Sequence, residues 1–168
     1  MTAFQIRVMT PGDIPQFRRM MATHSEFEGM PDMALTEADL HERAFGPAPE
    51  YGAFVADAGA LRGLAGFASH YSLPFKNDGR PTLVLKNLWV DPDLRGSGVA
   101  RALMVAMAQK ARAGRYGRMR WSVLPENARA IAFYRSLGAT PDPKWVPWLM
   151  DEAAFLRLAQ EECELVGS

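Results

Sequence analysis

The stretch VDPDLRGSGVARALM, residues 90–104, decides how the rest of the sequence is interpreted. A strand-like apolar run leads into it, and Gly96 and Gly98 separate that run from a helical pattern. Glycines let a backbone approach a ligand closely, and the first N–H groups of a helix have no partner within the helix. Because the helix dipole adds positive potential there, the stretch predicts a site for phosphate oxygens, to which Arg95 adds a charge-assisted contact.

The glycine spacing alone is weak evidence, because a plain turn before a surface helix has the same pattern. Two nucleotide-binding loops are excluded. The third glycine of a G-x-G-x-x-G fingerprint is missing after Gly98, and no Gly-Lys-Ser/Thr follows as in a Walker loop. A plain turn and a phosphate site both remain open at this point.

The composition is that of an ordinary folded chain. Its 168 residues suit one domain, 1–168, and 48% of them are hydrophobic. Lys plus Arg and Asp plus Glu each number 19, so no net field favours nucleic acid or an anionic membrane. Cys163 is the one cysteine, which excludes an intrachain disulfide framework and predicts a reducing, cytoplasmic setting. No apolar run reaches the about 20 residues of a membrane-spanning helix, and no signal-peptide stretch begins the sequence.

The remaining patterns predict a mixed α/β domain with an antiparallel front half and a βαβ-like rear half. Short turns join the three middle strands, so these strands pair antiparallel. A polar loop is predicted at residues 24–34. The predicted elements are strands at 4–8, 51–57, 61–73, 83–90, 118–124 and 145–150, and helices that begin near Thr10, Thr36, Gly98, Asn127 and Asp151, the last of them running to about residue 162.

A second segment, residues 127–139, has the pattern of a capped amphipathic helix. Asn127 is a good N-cap and Gly138 a good C-terminal stop. Aromatic residues at helical spacing, here Phe133 and Tyr134, are most often core residues. Taken alone, this segment therefore indicates only a helix that packs on a core.

The two segments together, in this order and with one helix and one strand between them, resemble the GNAT acetyltransferase superfamily. The cofactor motif of that superfamily is Gln/Arg-x-x-Gly-x-Gly/Ala, and its next motif is Asn-x-x-Ala-x-x-Phe-Tyr followed by a glycine. The residues that match at the same spacing are Arg95, Gly98 and Ala100 in the first motif and Asn127, Ala130, Phe133, Tyr134 and Gly138 in the second.

The resemblance implies a fold and a cofactor. The fold is a mostly antiparallel central sheet, splayed between the strands at 83–90 and 118–124 and flanked by helices. The cofactor is acetyl-CoA, held by the strand before the glycine loop, by the loop and by the second motif. The implied cofactor-binding residues are Leu88, Trp89, Val90, Arg95, Gly96, Ser97, Gly98, Val99, Ala100, Arg101, Asn127, Ala130, Phe133 and Tyr134.

From Phe4 to about Glu162 the sequence is similar to the spermidine/spermine (diamine) N-acetyltransferase branch of that superfamily. Leu35–Glu37, Gly66–Ala68 and Trp145 carry this similarity besides the two motifs. The branch is dimeric and cytosolic and acetylates small molecules. The resemblance therefore implies a homodimer in which a small-molecule primary amine attacks acetyl-CoA directly in a ternary complex.

Tyr134 matches the general acid that protonates the leaving thiolate in the family. A phenol has an unperturbed pKa of about 10, so it can donate a proton at neutral pH. The oxyanion donor is expected on the backbone near Leu88 to Val90. The alternative for Tyr134 is core packing only.

The general base is where the sequence departs from its branch. Two adjacent acids that attract and deprotonate a polyamine are replaced here by Lys86 and Asn87. A lysine repels a polyamine and cannot serve as a carboxylate base, so the acceptor is predicted not to be a polyamine. Glu26 and Glu28 lie where the branch has another substrate-facing acid, and they are candidate substrate-binding and catalytic residues that act through water.

Alternatives to these assignments remain open. His24 is another candidate for the water-relayed base, and solvated loop charges would explain Glu26 and Glu28 equally well. A protein or peptide amine could be the acceptor, or the chain could be a non-catalytic acyl-CoA-binding module. His24, His41 and His70 show no metal-ligand spacing, so no metal site is expected.

Overall fold

The computed structural model describes residues 4–30, 33–75, 78–144 and 146–160. The chain divides into two compact units, Met1–Ser122 and Val123–Ser168. The first unit contains a five-stranded sheet. Its strands and helices are β1 (Gln5–Val8), α1 (Ile14–Phe27), α2 (Glu37–Phe45), β2 (Gly52–Asp57), β3 (Leu64–Leu73), β4 (Thr82–Val90), α3 (Val99–Ala113) and β5 (Arg118–Arg120).

The sheet follows chain order, β1-β2-β3-β4-β5. The first four strands pair antiparallel, and β4 pairs with β5 in parallel across α3. That parallel pair is short, because only Thr82–Val84 meet Arg118–Arg120. The later residues of β4 have no ladder partner on β5 within the described part of the chain, as expected of a sheet that splays between these strands. The predicted fold class is therefore confirmed, although β5 is shorter than the predicted 118–124.

Helices cover both faces of the sheet. Neighbouring residues of a strand point to opposite faces, so the buried residues of β3 meet a helix on each side. On one face Phe67 is fully buried and packs edge-on against Phe17 of α1, with ring centroids 4.7 Å apart. On the other face lies α3, and a Cβ built on Gly66 would come within 3.1 Å of the Cγ1 of Val99. The helix therefore approaches β3 closely at a position that has no side chain.

Two further predictions about the secondary structure are wrong. Residues 24–27 belong to α1 rather than to a loop, because His24 continues the buried stripe of Phe17 and Met20 on the same helical face. Residues 146–150, all within the described part of the chain, form no strand, and Pro147 removes one N–H from any ladder there.

The second unit contains α4 (Ala128–Ser136) and α5 (Glu152–Leu158) among its described residues. Asp151 caps α5 with a side-chain oxygen that accepts from the Ala154 N–H at 2.8 Å. This helix ends at Leu158 and residues 159–160 form a turn, so the predicted helix to about residue 162 is too long. Trp145 and residues 161–168, which include Cys163, lie outside the described residues.

Candidate active site

The glycine loop after β4 takes a conformation that glycine favours. A single 3₁₀ turn, Pro92–Leu94, leads into it. Gly96 and Gly98 both have left-handed φ angles, +86° and +92°, and a Cβ built on either would meet no atom within 4 Å. Side chains at these positions would be strained and would also enter open space next to the helix. The loop is thus both sterically open and dependent on its glycines.

At the N-terminus of α3, next to these glycines, the first N–H groups have no hydrogen-bond partner among the described residues. The first hydrogen bond of the helix joins the Ala102 N–H to the Gly98 carbonyl at 3.0 Å. The N–H groups of the three preceding residues, 99–101, come before this bond, and Gly98 supplies no side-chain cap. Together with the helix dipole, these groups fit a phosphate anion. The donors and the open space at the start of α3 therefore suit a ligand that carries a pyrophosphate.

Arg95 lies against the aromatic residues at the end of β4. Its Nε donates to the Val90 carbonyl at 3.3 Å. The guanidinium carbon lies 4.8 Å from the ring centre of Trp89 and 5.3 Å from that of Phe27, within the range of a cation–π contact. The sequence assigned Arg95 to phosphate, and the structure adds that two aromatic rings hold its guanidinium.

A β-bulge in β4 separates the two residues that replace the acidic pair. Asn87 pairs with Ser69 and Leu85 pairs with His70, so Lys86 is the extra residue. The Lys86 side chain is exposed, whereas that of Asn87 is half-buried and hydrogen-bonded. Sequence adjacency indicated two neighbouring substrate contacts, but the bulge gives the two side chains different surroundings.

A row of polar side chains crosses from β3 through β4 to the last turn of α1. The Ser69 Oγ donates to the Asn87 Oδ1 at 3.0 Å. The Asn87 Nδ2 lies 3.4 Å from the His24 Nδ1, and the His24 Nε2 lies 3.4 Å from the Glu28 Oε1. We call Ser69, Asn87, His24 and Glu28 the polar row.

Burial favours the neutral form of the His24 ring. His24 is 9% exposed, and its ring centre is 5.3 Å from that of Trp89. Burial lowers the pKa of His24 below its usual value; the Glu28 carboxylate opposes this shift, and the Arg95 guanidinium adds to it. A neutral imidazole has one N–H donor and one acceptor nitrogen, so its two partners fix which nitrogen carries the proton.

The structure distinguishes the candidate acids. Glu28, the C-cap residue of α1, contacts His24, and its side chain is 37% exposed. Glu26 is exposed on the same turn and does not belong to the polar row. Sequence reasoning treated His24 only as an alternative base. The signal for its burial is its spacing from Phe17 and Met20 on one helical face.

The second unit carries the other motif on α4. The Asn127 Oδ1 accepts from the Ala130 N–H at 3.0 Å, which confirms the predicted cap. Gly138 follows the helix with φ +86°, as predicted for its stop. The rings of Phe133 and Tyr134 lie 5.4 Å apart at 54°.

Two absences hold for the described residues only. None of their helices is long and apolar enough to cross a membrane. No group of three or more His, Cys, Asp or Glu side chains among them could hold a metal ion.

Known proteins are similar to this chain in sequence or in fold along most of its length. Thialysine N-epsilon-acetyltransferase of Caenorhabditis elegans is 29% identical over 166 residues, which cover 96% of this chain and 100% of that protein. The protein of that name from Sus scrofa is 27% identical, covering 95% of this chain and 99% of its own. The crystal structure of a probable acetyltransferase matches with a TM-score of 0.77 at 22% identity, covering 88% of this chain and 97% of that one.

The similarity to these proteins identifies the fold class, a mixed α/β acetyltransferase fold with a glycine loop between β4 and α3. The acetyltransferase (GNAT) family model matches residues 17–139, which include the glycine loop and the second motif. The chain belongs to the GNAT acetyltransferase family, and the protein is an N-acetyltransferase.

Proposed function

We propose that the protein transfers an acetyl group from acetyl-CoA to a primary amine of a small molecule, by direct attack in a ternary complex. The observation that carries the donor assignment is the start of α3. Unpaired N–H groups there meet open space beside two left-handed glycines. A pyrophosphate satisfies such donors, and the family uses acetyl-CoA generally.

Acetyl-CoA supplies an activated thioester. The chain would bind its pyrophosphate through the loop and first turn of α3, and its arm through the backbone of β4. N–H groups near residues 88–90 would stabilise negative charge on the carbonyl oxygen. The side chains assigned to donor binding remain Arg95 and Ser97 of the loop, Arg101 of α3, and Asn127, Phe133 and Tyr134 of the second motif.

Tyr134 is assigned as the acid that protonates the leaving thiolate, and Glu28 as the base that receives a proton from the amine. Of the two candidate carboxylates, Glu28 is preferred over Glu26 because it alone of the pair belongs to the polar row. Lys86 and Asn87 are assigned to the acceptor side.

The acceptor is proposed to be an amine other than a polyamine. Lys86 is exposed where it would repel a polycation. The similar proteins from Caenorhabditis elegans and Sus scrofa are named for thialysine, an amino acid that carries a side-chain amine. An acceptor that bears a carboxylate as well as a primary amine suits this site, because its carboxylate can pair with the Lys86 ammonium.

The proposal extends to the setting of the enzyme. The family match crosses both compact units, which supports one acetyltransferase domain over residues 1–168. A homodimer in the cytoplasm follows from the resemblance to the diamine branch. Sedimentation velocity at micromolar protein tests the dimer.

A thiol-release assay with acetyl-CoA tests the function. The panel contains thialysine, lysine, spermidine and a peptide with a free amine. We expect turnover with the amino acids to exceed that with spermidine by at least about tenfold in kcat/KM, since one repulsive contact of about 1.4 kcal/mol gives that ratio. Efficient spermidine turnover would refute the role of Lys86, preference for the peptide would refute a small acceptor, and acetyl-CoA binding without thiol release would identify a non-catalytic module.

A further inference from the structure

We propose that His24 is a positioning residue that presents the Glu28 carboxylate to the acceptor amine, by directing its Nε2–H toward that carboxylate from the end of the polar row that begins at Ser69. The inference rests on the proposed amine acetylation and deepens it, because it assigns a role to a buried histidine outside the family motifs. Its basis is the contact geometry of the polar row.

The carboxylate end of the row fixes the position of the His24 proton. An ionised Glu28 can only accept a hydrogen bond, so the His24 Nε2 that faces it must carry the proton. In a neutral ring the Nδ1 is then an acceptor. The group that meets Nδ1 must be a donor, which is the amide nitrogen of Asn87.

The other end of the row agrees with this direction. With its amide nitrogen toward His24, Asn87 turns its carbonyl oxygen to the Ser69 hydroxyl, which donates to it at 3.0 Å. Ser69 is 1% exposed, so this hydroxyl has a protein partner instead of water. The reverse direction would place a lone pair of His24 against the carboxylate, which is repulsive. One direction therefore suits every group: Ser69 donates to Asn87, Asn87 donates to His24, and the His24 Nε2 faces the Glu28 carboxylate at 3.4 Å, an ion-pair distance.

The surroundings of the row limit the movement of the imidazole. Trp89 packs against the His24 ring, and Arg95 in turn stacks on Trp89. The charged groups that act on His24 are Glu28 from α1 and Arg95 from the loop after β4. Because the ring is buried and the Glu28 side chain is 37% exposed, the histidine is a fixed donor to a carboxylate that solvent can reach.

This arrangement assigns the proton transfer to Glu28 and excludes Asn87 as its agent. An acceptor that arrives as an ammonium ion gives one proton to the Glu28 carboxylate; an N–H bond breaks and an O–H bond forms. The nitrogen keeps the electron pair and becomes the neutral amine that can attack a thioester. His24 keeps its own proton throughout and holds the Glu28 carboxylate in one orientation. A fixed orientation raises the rate because proton transfer requires the carboxylate and the amine to be aligned.

A matched pair of substitutions tests this role. The amide nitrogen of a glutamine can reach the place of Nε2, whereas an asparagine reaches only the place of Nδ1. We expect His24→Gln to keep kcat within about threefold of wild type and His24→Asn to lower it about tenfold or more, the ratio for loss of one hydrogen bond to a charged group. The KM for acetyl-CoA should change in neither variant, and melting temperatures of both check the fold. Equal loss in the two variants would overturn the proposal.

A double-mutant cycle with Glu28→Gln separates positioning from packing. If His24 acts through Glu28, adding His24→Asn to Glu28→Gln lowers kcat no further than Glu28→Gln alone. Multiplied losses in the double variant would show that His24 acts independently of that carboxylate, and would refute the proposal.

Nitrogen chemical shifts of the His24 ring give a readout that needs no activity. The row requires a proton on Nε2 and a lone pair on Nδ1 in the neutral protein. A proton on Nδ1 would refute the row even in an active enzyme. If wild type transfers no acetyl group to any amine, the proposed function fails, while the Nε2–H form would still support the hydrogen-bond row by itself.

Discussion

The start of α3 and the start of α4 are two helix N-termini of opposite design. α4 is closed by its own sequence, because the Asn127 side chain accepts from the Ala130 N–H. α2 and α5 are closed in the same way by Thr36 and Asp151. α3 begins at Gly98, which has no side chain to offer. A helix end that lacks an internal cap in a folded protein is available to a ligand, and this difference supports the proposal that α3 binds the anion.

The largest expected effect comes from a substitution in α4, the capped helix. It tests whether α4 supplies a catalytic acid. Tyr134→Phe removes the proposed acid while it keeps the ring. We expect kcat to fall by about a hundredfold or more, the usual contribution of general acid catalysis, with unchanged affinity for acetyl-CoA. Steady-state kinetics and calorimetric titration measure the two quantities.

Tyr116→Phe is the matched control, because it removes a phenol hydroxyl that bonds to Ser72 and has no assigned part in the reaction. Its kcat should stay near wild type. An equal fall in both variants, or wild-type turnover in Tyr134→Phe, would contradict the assigned acid.

The next effect tests the open helix directly. Gly98→Ala adds a methyl group in a left-handed conformation, beside the donors proposed to bind pyrophosphate. The backbone strain is about 1–2 kcal/mol, and we expect acetyl-CoA affinity to fall by about tenfold or more as the loop relaxes.

Gly59→Ala provides the same strain elsewhere, since Gly59 has φ +88° and open space around it in the β2–β3 turn. Gly59→Ala should lower the melting temperature as much as Gly98→Ala does, but it should leave the affinity for acetyl-CoA unchanged. Calorimetric titration of both variants with acetyl-CoA decides the matter, and equal affinities in the two would remove the phosphate site from the loop.

A smaller effect is expected at the 3₁₀ turn Pro11–Asp13, which leads into α1. The Asp13 carboxylate caps this turn. The Asp13 carboxylate accepts from the Thr10 N–H and from Arg7, and hydrogen bonds from Arg7 lower the pKa of Asp13 from 3.8 to about 2. A lowered pKa stabilises the fold above the unfolded value, so this contribution is complete above about pH 5 and is lost as the pH falls from about 4 to about 2.

We expect Asp13→Asn to cost about 1–2 kcal/mol at pH 7 and only about 0.4 kcal/mol at pH 2, where the folded carboxyl is half ionised. Urea unfolding midpoints at both pH values measure this, with Arg7 and Asp57 unchanged. A difference that does not depend on pH would show that the ion pair adds no stability of its own.

The smallest effect sharpens the closed end of the comparison. Asn127→Ala removes the cap of α4 and should cost about 1 kcal/mol of helix stability, whereas Asn127→Asp keeps an oxygen acceptor and should cost little. Hydrogen exchange at the amides of the first turn of α4 reports this locally. Equal protection in the two variants would mean that the cap contributes nothing.

The sequence predicted the local conformations within the candidate site. Gly96, Gly98 and Asn127 act through the turn or helix in which they lie, and their spacing indicates the conformation directly. The glycine stretch and the helix cap were therefore predictable, and so was the antiparallel order of the middle strands.

The polar row was not predictable in the same way. His24 and Asn87 are 63 positions apart, and their contact depends on how α1 packs on the sheet. The bulge at Lys86 is a change in register between β3 and β4, which alternation within one strand does not reveal. The charged residues after His24 also suggested a loop, although the buried face of α1 continues through that turn.

Gly66 has a consequence for changing this enzyme. A Cβ there would lie 2.6 Å from the Trp89 carbonyl and 3.1 Å from Val99, so an absent methyl group sets the spacing between β4 and the first turn of α3. Any larger residue at position 66 must displace the β4 backbone at Trp89 and also crowds the Val99 side chain. If β4 and the start of α3 bind the acyl donor as proposed, engineering for a different donor can begin in β3, on a residue that is not itself assigned to the donor.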